Sequence, residues 1–166
     1  MKVLVDVNVA LDVILEREPW LKDSKGVWDA CHETRIVGHL NATAVTNIFY
    51  VSRRLIGTEK ARAAVRICLA TFEIIPVGRD ELQKADAMAG SDLEDNVSMA
   101  CALAAGLDAI VTRDPKGFAG SPIPVLSPTE LLARLPNDEP GEAEAGRGSA
   151  GDAGDPGAQA GPGQGR

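Results

Sequence analysis

Residues 91–114, SDLEDNVSMACALAAGLDAIVTRD, decide the fold that this sequence predicts. A run of small residues follows the opening acids and predicts a helix over residues 93–105, and Gly106 ends it. Three acidic residues open the stretch: Asp92, Glu94 and Asp95. The stretch therefore predicts a helix with several carboxylates at its N-terminus.

Another acid follows the next element of the same stretch. Residues 109–112, AIVT, form a continuous apolar run that predicts a short buried strand, and Asp114 lies just past its end. The first strand, predicted over residues 2–6, likewise ends with an acid, Asp6. Because ligand sites in open parallel sheets lie beyond the carboxyl ends of the strands, we expect these acids to meet at one edge of the sheet.

Strand and helix patterns alternate along the chain, which favours an α/β fold with a parallel sheet. The strands at residues 2–6 and 109–112 show no polar alternation, as expected for strands covered on both faces. We therefore predict a three-layer α/β/α domain with a short parallel sheet. Further strands are predicted over residues 36–40, 72–77 and 123–126, the second of them at an edge because it contains Pro76. Helices are predicted over residues 8–16, 21–33, 41–56, 58–70, 80–89, 93–105 and 128–135.

The helix predicted over residues 41–56 has a wide apolar face. Ala44, Ile48, Val51 and Leu55 recur at helical spacing and are expected to face the core. A second stripe lies beside them and consists of Val45, Phe49 and Ile56. A face this wide indicates either deep packing within the domain or a contact with a second copy or another partner.

The composition changes after Leu135. Residues 136–166 are dominated by Gly, Ala, Pro, Asp and Glu and contain no large apolar residue. Such a segment cannot bury enough surface to offset the entropy of ordering it, so we predict a domain over residues 1–135 and a disordered acidic tail. The chain carries a net charge of −7, and more than half of the excess lies in the tail. The net charge therefore does not exclude an anionic substrate.

The cysteines and the apolar runs indicate a cytoplasmic protein without a membrane span. Cys31, Cys68 and Cys101 lie inside apolar helical patterns, which predicts small buried side chains rather than a disulfide framework or a zinc site. No apolar run is long enough to span a bilayer. The N-terminus also lacks the basic region and the cleavage site of a secretory signal.

The acids predict a site for a hard divalent cation. Asp6, Asp92, Asp95 and Asp114 would repel one another, and Mg²⁺ or Mn²⁺ held by a few carboxylates and several waters relieves this repulsion. A metal held in this way activates water and neutralises charge on a phosphate, which suits phosphodiester hydrolysis. Each acid also has an ordinary interpretation: an N-cap for Asp92, a turn or cap residue for Asp6, and a turn before Pro115 for Asp114.

The strongest motifs occur in a fixed order: VLVDVNV (residues 3–9), DLEDNVSMACALAAG (92–106), AIVTRD (109–114), Phe118 and PVLSP (124–128). Together they resemble the PIN domain, the fold of many metal-dependent ribonucleases, including the toxins of VapC-type toxin–antitoxin pairs. The resemblance implies a Mg²⁺- or Mn²⁺-dependent endoribonuclease that hydrolyses RNA phosphodiester bonds. It also implies an antitoxin partner and a homodimer.

The resemblance also implies roles for single residues. They are the catalytic metal ligands (Asp6, Asp95 and Asp114), an accessory metal ligand (Asp92), and two residues that orient the site by hydrogen bonds (Asn8 and Thr112). Two positions depart from the family pattern, because many members have Glu where this chain has Asn47 and an acid where it has Gly117. An amide is a poorer ligand for a hard cation, so Asn47 is assigned to positioning and we expect weaker or single-metal binding.

Two other functions are compatible with parts of this pattern. The departures at Asn47 and Gly117 favour, as the main alternative, a non-catalytic PIN-fold module that binds RNA or a protein. The other is metal-dependent phosphatase chemistry, which usually needs a second acid two residues after the first. This chain has Asn8 at that position, which counts against a phosphatase.

Basic residues near the acids are candidates for phosphate contacts. Arg113 and Lys116 flank Asp114, and Arg54 shares a predicted helix face with Asn47. We expect Arg113, Lys116 and Arg54 to bind the substrate.

Overall fold

The central sheet consists of parallel strands in the order β3–β2–β1–β4–β5. The computed structural model describes residues 1–90 and 92–136. The strands are β1 (Lys2–Val5), β2 (Val37–Asn41), β3 (Glu73–Ile75), β4 (Ala109–Val111) and β5 (Val125–Leu126). The central strand is β1, in which Leu4 pairs with His39 of β2 on one side and with Ile110 of β4 on the other. The predicted short parallel sheet is confirmed.

Helices cover both faces of this sheet. They are α1 (Val7–Ile14), α2 (Leu21–His32), α3 (Ala42–Ile56), α4 (Thr58–Thr71), α5 (Arg79–Asp86), α6 (Leu93–Ala104) and α7 (Pro128–Leu132). Val3 and Val5 pack in one core with α1 to α4 and α7, whereas Leu4 packs in the other core with α5 and α6. Successive residues of β1 thus serve opposite layers, and the predicted α/β/α architecture is confirmed.

A topological switch lies between β1 and β4. The chain first adds β2 and β3 on one side of β1 and then returns to add β4 and β5 on the other side. Connections leave the carboxyl ends of β1 and β4 in opposite directions, which opens a crevice at that edge of the sheet. Asp6 follows β1 directly, and Asp114 lies just beyond β4. The sheet therefore brings these two acids to the same crevice.

Leu55, one of the apolar positions of α3, has a side chain that is 63% exposed. The buried residues of α3 are Ala44, Ile48 and Ser52, which follow one another at intervals of four. The helix therefore turns a polar residue inward at position 52, and Leu55 of the predicted stripe points to solvent. A serine hydroxyl carries no apolar signal, so the sequence pattern did not show that Ser52 belongs to the buried face of α3.

Most predicted boundaries agree with the structure within two residues, and several elements are shorter than predicted. The edge strand predicted over residues 72–77 pairs only over Glu73–Ile75, because Pro76 has no N–H for the ladder. The strand predicted over residues 123–126 is limited to Val125–Leu126. The helix predicted over residues 80–89 ends at Asp86, and the one predicted over residues 128–135 ends at Leu132.

The cysteines are free and buried, as predicted. Burial raises the pKa of the Cys31 and Cys68 thiols to about 12 and that of Cys101 to about 11, so they stay protonated. Among the helices that the structure describes, none is both long and apolar enough to cross a membrane. The predicted acidic tail, apart from Pro136, lies outside the described residues.

Candidate active site

A hydrogen-bonded group of three side chains joins the ends of β1 and β4. Asp6 is only 8% exposed, and its Oδ2 accepts hydrogen bonds from Thr112 Oγ1 at 2.6 Å and from Asn8 Nδ2 at 2.5 Å. Asn8 Nδ2 also donates to Thr112 Oγ1 at 3.0 Å. The carboxylate of Asp6 is thus held in one orientation from both strand ends.

Thr112 extends this group to the second strand-end acid. Its hydroxyl oxygen accepts the N–H of Asp114 at 2.9 Å, while its hydrogen is donated to Asp6. Asn8 Oδ1 accepts the N–H of Arg113 at 3.2 Å. The Thr112 hydroxyl therefore uses its donor and both acceptor positions. Asp114 is exposed at the rim, with its Oδ1 accepting the N–H of Lys116 at 3.1 Å.

The N-terminus of α6 supplies the remaining acids. Asp92 is the N-cap residue, and its Oδ1 accepts the N–H of Glu94 at 2.8 Å and of Asp95 at 3.4 Å. These hydrogen bonds show that Asp92 acts as an N-cap, which is its ordinary interpretation. Its side chain is exposed. Glu94 and Asp95 follow in the first turn and are partly buried. The helix dipole reduces the cost of placing these charges together.

The acids are close enough to change one another's ionisation. Burial and the neighbouring carboxylates of Asp6, Asp92, Glu94 and Asp114, in that order, raise the pKa of Asp95 from 3.8 to about 6. Burial also raises the pKa of Asp6, against the hydrogen bonds from Thr112 and the Val7 backbone, and the charge of Glu94 adds to the increase. Carboxylates after β1, at the start of α6 and after β4 are therefore near enough for their charges to act on one another.

Glu94 belongs to the acidic run that the sequence identified, but it was not among the predicted site residues. Asn47 Nδ2 lies 2.6 Å from Glu94 Oε1 and 2.7 Å from Glu94 Oε2, so α3 and α6 are joined at the site. The signal that could have found Glu94 is its place beside Asp95 in the acidic run.

Gly117 is in direct contact with Asp95. A Cβ at position 117 would overlap Oδ2 of Asp95, so this side of the site has room only for glycine. The 3₁₀ turn Pro115–Phe118 that contains Gly117 packs against α6 through the buried Phe118. A larger residue at position 117 would therefore displace the Asp95 carboxylate.

The basic residues predicted to bind substrate lie in different surroundings. The Arg113 guanidinium is paired with the buried Asp12 and covers the ring of Trp20, so its position does not support a substrate contact. Lys116 is exposed beside Asp114. Arg54 is exposed in the last turn of α3, about 10 Å along the helix from Asn47.

The donor chemistry of the site fits a hard cation, since carboxylate oxygens dominate it. Within residues 1–90 and 92–136, no group of three or more His, Cys, Asp or Glu side chains encloses a common metal position. An ion such as Mg²⁺, which keeps several waters and takes one or two carboxylates together with substrate phosphates, does not need such a cage.

Comparisons with known proteins agree with the fold. A family model described as PIN domain matches residues 2–116. Ribonuclease VapC1 of Aquifex aeolicus is 30% identical over 138 residues, covering 80% of this chain and 94% of the relative.

Two solved structures show the similarity of the fold. The Mycobacterium tuberculosis VapC20 toxin, described as cleaving the sarcin–ricin loop, superimposes with a TM-score of 0.60 at 16% identity, over 70% of this chain and 93% of that chain. A toxin–antitoxin complex from Klebsiella pneumoniae gives a TM-score of 0.56 at 22% identity, over 76% of this chain and 97% of that chain.

Proposed function

The chain belongs to the PIN domain family, and from this premise we propose that it is a metal-dependent endoribonuclease that acts as the toxin of a toxin–antitoxin pair. The proposal is supported by the places of Asp6 and Asp114 beyond the carboxyl ends of β1 and β4 and of Asp95 in the first turn of α6. Burial and the neighbouring acids raise the pKa of Asp95 to about 6. Such a group of acids suits cation binding.

Asp6, Asp95 and Asp114 would hold Mg²⁺ or Mn²⁺, with Asp92 as an accessory acid at the rim. When bound, the metal supplies an activated water and neutralises charge that develops on the phosphate. Thr112 and Asn8 fix the Asp6 carboxylate so that its oxygens do not have to reorganise. Lys116, exposed beside Asp114, would bind a phosphate oxygen of the RNA, and Arg54 would contact a nucleotide farther along the strand.

The partners are proposed from the relatives. Ribonuclease VapC1 supports RNA as the substrate. Solved neighbours from Klebsiella pneumoniae, and from Salmonella typhimurium as DNA-bound VapBC, support an antitoxin partner. A homodimer is also proposed, because the exposed Tyr50 and Leu55 of α3 leave apolar surface available for a contact with a second copy.

The test is cleavage of a labelled single-stranded RNA pool by the purified chain with Mn²⁺ or Mg²⁺. Addition of EDTA and the substitution Asp95→Asn serve as parallel controls. We expect cleavage in the wild type with metal and its loss in both controls. Cleavage that survives both controls would mean that the acids are not the catalytic centre.

The alternative is a PIN-fold module that binds without cleaving, and the neutral Asn47 is the observation that favours it. Mn²⁺ titration separates the two functions, because only the nuclease requires a bound cation. Binding that depends on Asp95 supports the nuclease, whereas RNA retention without Mn²⁺ binding supports the module.

A further inference from the structure

Trp20 is a half-exposed aromatic residue whose ring is held in place. The Arg113 guanidinium lies over the ring, with its Cζ 4.2 Å from the ring centroid. Arg113 is itself fixed by its ion pair with the buried Asp12. Even with this cover, Trp20 is 45% exposed. The ring is therefore an aromatic surface that is already oriented and still partly open to solvent, so a ligand that stacks on it does not have to order it first.

A cavity of about 330 Å³ lies between Trp20 and the start of α7. Its walls include Asp23 of α2 and the segment Ser127, Pro128 and Thr129. Thr129 Oγ1 donates a hydrogen bond to Asp23 Oδ2 at 2.7 Å, which joins α2 to α7 and holds the carboxylate. Sites for small ligands begin at about 300 Å³ and combine apolar surface with a few polar groups. The cavity therefore has room for one small ring system and offers it an aromatic wall and a fixed hydrogen-bond acceptor.

This cavity is connected to the acidic crevice by a single residue, Arg113. The side chain of Arg113 covers Trp20, and its backbone N–H donates to Asn8 Oδ1 at 3.2 Å. Asn8 in turn donates to Asp6, and the residue after Arg113 is Asp114. A ligand in the cavity is therefore separated from the acids by the length of one arginine side chain. The base next to a phosphate at the crevice is the part of an RNA chain that comes to this place.

We propose that this cavity binds one base of the RNA substrate, stacked on Trp20 with its hydrogen-bond donors directed at Asp23. The inference rests on the proposed ribonuclease function and adds to it a site that selects a nucleotide beside the cleaved bond. Bases of single-stranded RNA stack on aromatic side chains and are distinguished by hydrogen bonds to their edges. Because the carboxylate of Asp23 repels phosphate, the cavity accepts the base and leaves the sugar–phosphate chain outside.

The acceptor chemistry of Asp23 favours guanine. Guanine has two adjacent donors on its Watson–Crick edge, N1–H and the N2 amino group, and a carboxylate accepts both. Adenine and cytosine have one amino group beside an acceptor nitrogen, and uracil has one N–H between two carbonyl oxygens. Each of these three bases places an acceptor against the carboxylate. Stacking on Trp20 therefore contributes to the binding of every base, whereas the preference for guanine depends on Asp23.

The binding test uses the full chain and short ribose–phosphate chains that carry one central base or none. EDTA prevents metal-dependent cleavage, and fluorescence anisotropy of an end label gives the dissociation constants. We expect the chain with guanine to bind the wild type about tenfold more tightly than the chain without a base. Trp20→Leu should remove this difference, and Trp20→Phe, which keeps an aromatic face, should reduce it by less than about threefold. Circular dichroism verifies the fold of each variant.

The variant Trp28→Phe supplies a second readout and a control. It leaves Trp20 as the single tryptophan of the chain, which contains two. Trp28 contacts Phe72, which precedes β3 and so lies at the sheet edge opposite the crevice. We expect Trp28→Phe to bind the probes like the wild type. The emission of Trp20 should fall on addition of the chain with guanine and not on addition of the chain without a base. This readout requires no substitution at Trp20.

Replacement of Asp23 tests the selection of the base. Asp23→Asn should reduce the preference for guanine over adenine by about tenfold, because the amide offers one acceptor where the carboxylate offers two. Asp29→Asn is the matched control, since it removes the same charge from the same helix at a partly exposed residue that pairs with Lys25. It should leave the preference unchanged.

The outcomes separate this inference from the proposed function. If the wild type binds the chains with and without guanine equally, or if Trp20→Leu keeps the difference, the base site is overturned. RNA cleavage that is lost in Asp95→Asn would still support the nuclease in that case. Binding that depends on the base and on Trp20, without any RNA cleavage, supports the base site and overturns the nuclease. An equal loss of affinity for both chains in Trp20→Leu also overturns the base site and assigns Trp20 to packing over Arg113.

Discussion

The carboxylate of Asp12 and the guanidinium of Arg113 form a buried ion pair beside the acidic crevice. Asp12 Oδ2 lies 2.5 Å from Arg113 Nε and accepts a hydrogen bond from Ser24 Oγ at 3.0 Å, and Asp12 has no exposed surface. The Trp20 ring lies against the guanidinium, with its centroid 4.2 Å from Cζ. The pair connects α1 and the start of α2 to the residue that precedes Asp114.

Removing one partner of this pair is expected to be strongly destabilising. Burial raises the pKa of Asp12 despite the opposing effects of Ser24 and Arg113, so this charge depends on its partners. We expect Asp12→Ala to lower the free energy of unfolding by about 3 kcal/mol, because it removes the buried carboxylate and leaves the partly buried guanidinium of Arg113 without its ion-pair partner. Urea denaturation measures the loss. The double variant Asp12→Ala with Arg113→Met should lose less than the two single variants combined, and strict additivity would contradict the pairing.

Substitution of Thr112 tests the hydrogen-bonded group at the strand ends. Thr112→Val keeps the shape of the side chain but removes the donor to Asp6 and the acceptor for Asn8 and Asp114. We expect a loss of about 1–3 kcal/mol in the free energy of unfolding, together with weaker Mn²⁺ binding. Thr112→Ser retains the hydroxyl and should bind Mn²⁺ like the wild type. Equal Mn²⁺ affinity of the valine and serine variants would show that the hydroxyl does not position Asp6.

The metal-free protein should become more stable as the pH falls from about 7 to 5. The pKa of Asp95 is raised from 3.8 to about 6, chiefly by burial and then by Asp6 and the other acids. The folded state therefore holds this proton more tightly than the unfolded chain, and stability falls as the pH rises through this interval. Melting temperatures in EDTA measure the effect.

Asp95→Asn isolates the contribution of that carboxyl group. It should melt above the wild type at pH 7, because it removes the repulsion among the acids, and its melting temperature should change less with pH. Addition of Mn²⁺ at pH 7 should raise the melting temperature of the wild type and not that of Asp95→Asn. A wild type that loses stability on acidification relative to this variant would refute the raised pKa.

The sequence predicted the convergence of Asp6 and Asp114 because two buried apolar strands and a parallel sheet leave little choice about where strand-end residues lie. It did not predict that Asn47 would donate a hydrogen bond to Glu94 or that Asp12 would form an ion pair with Arg113. Periodicity describes one element at a time, whereas these contacts depend on which side chains of distant elements come within reach. The inward turn of Ser52 was missed for the same reason, since only its neighbours make that face of α3 buried.

Replacement of Gly117 tests whether packing holds the Asp95 carboxylate in place. Gly117 does not have a positive φ, so alanine is compatible with its backbone, but the added Cβ would overlap Asp95 Oδ2. We expect Gly117→Ala to fold and to turn the Asp95 carboxylate away, which weakens Mn²⁺ binding by about tenfold and reduces RNA cleavage. Gly78→Ala, whose Cβ would meet only the flexible end of Glu81, is the matched control and should leave both unchanged. In the Asp95→Asn background, Gly117→Ala should cause no further loss of Mn²⁺ affinity, because the carboxylate it displaces is already gone. An additional loss in that background would show that Gly117 acts on another part of the site.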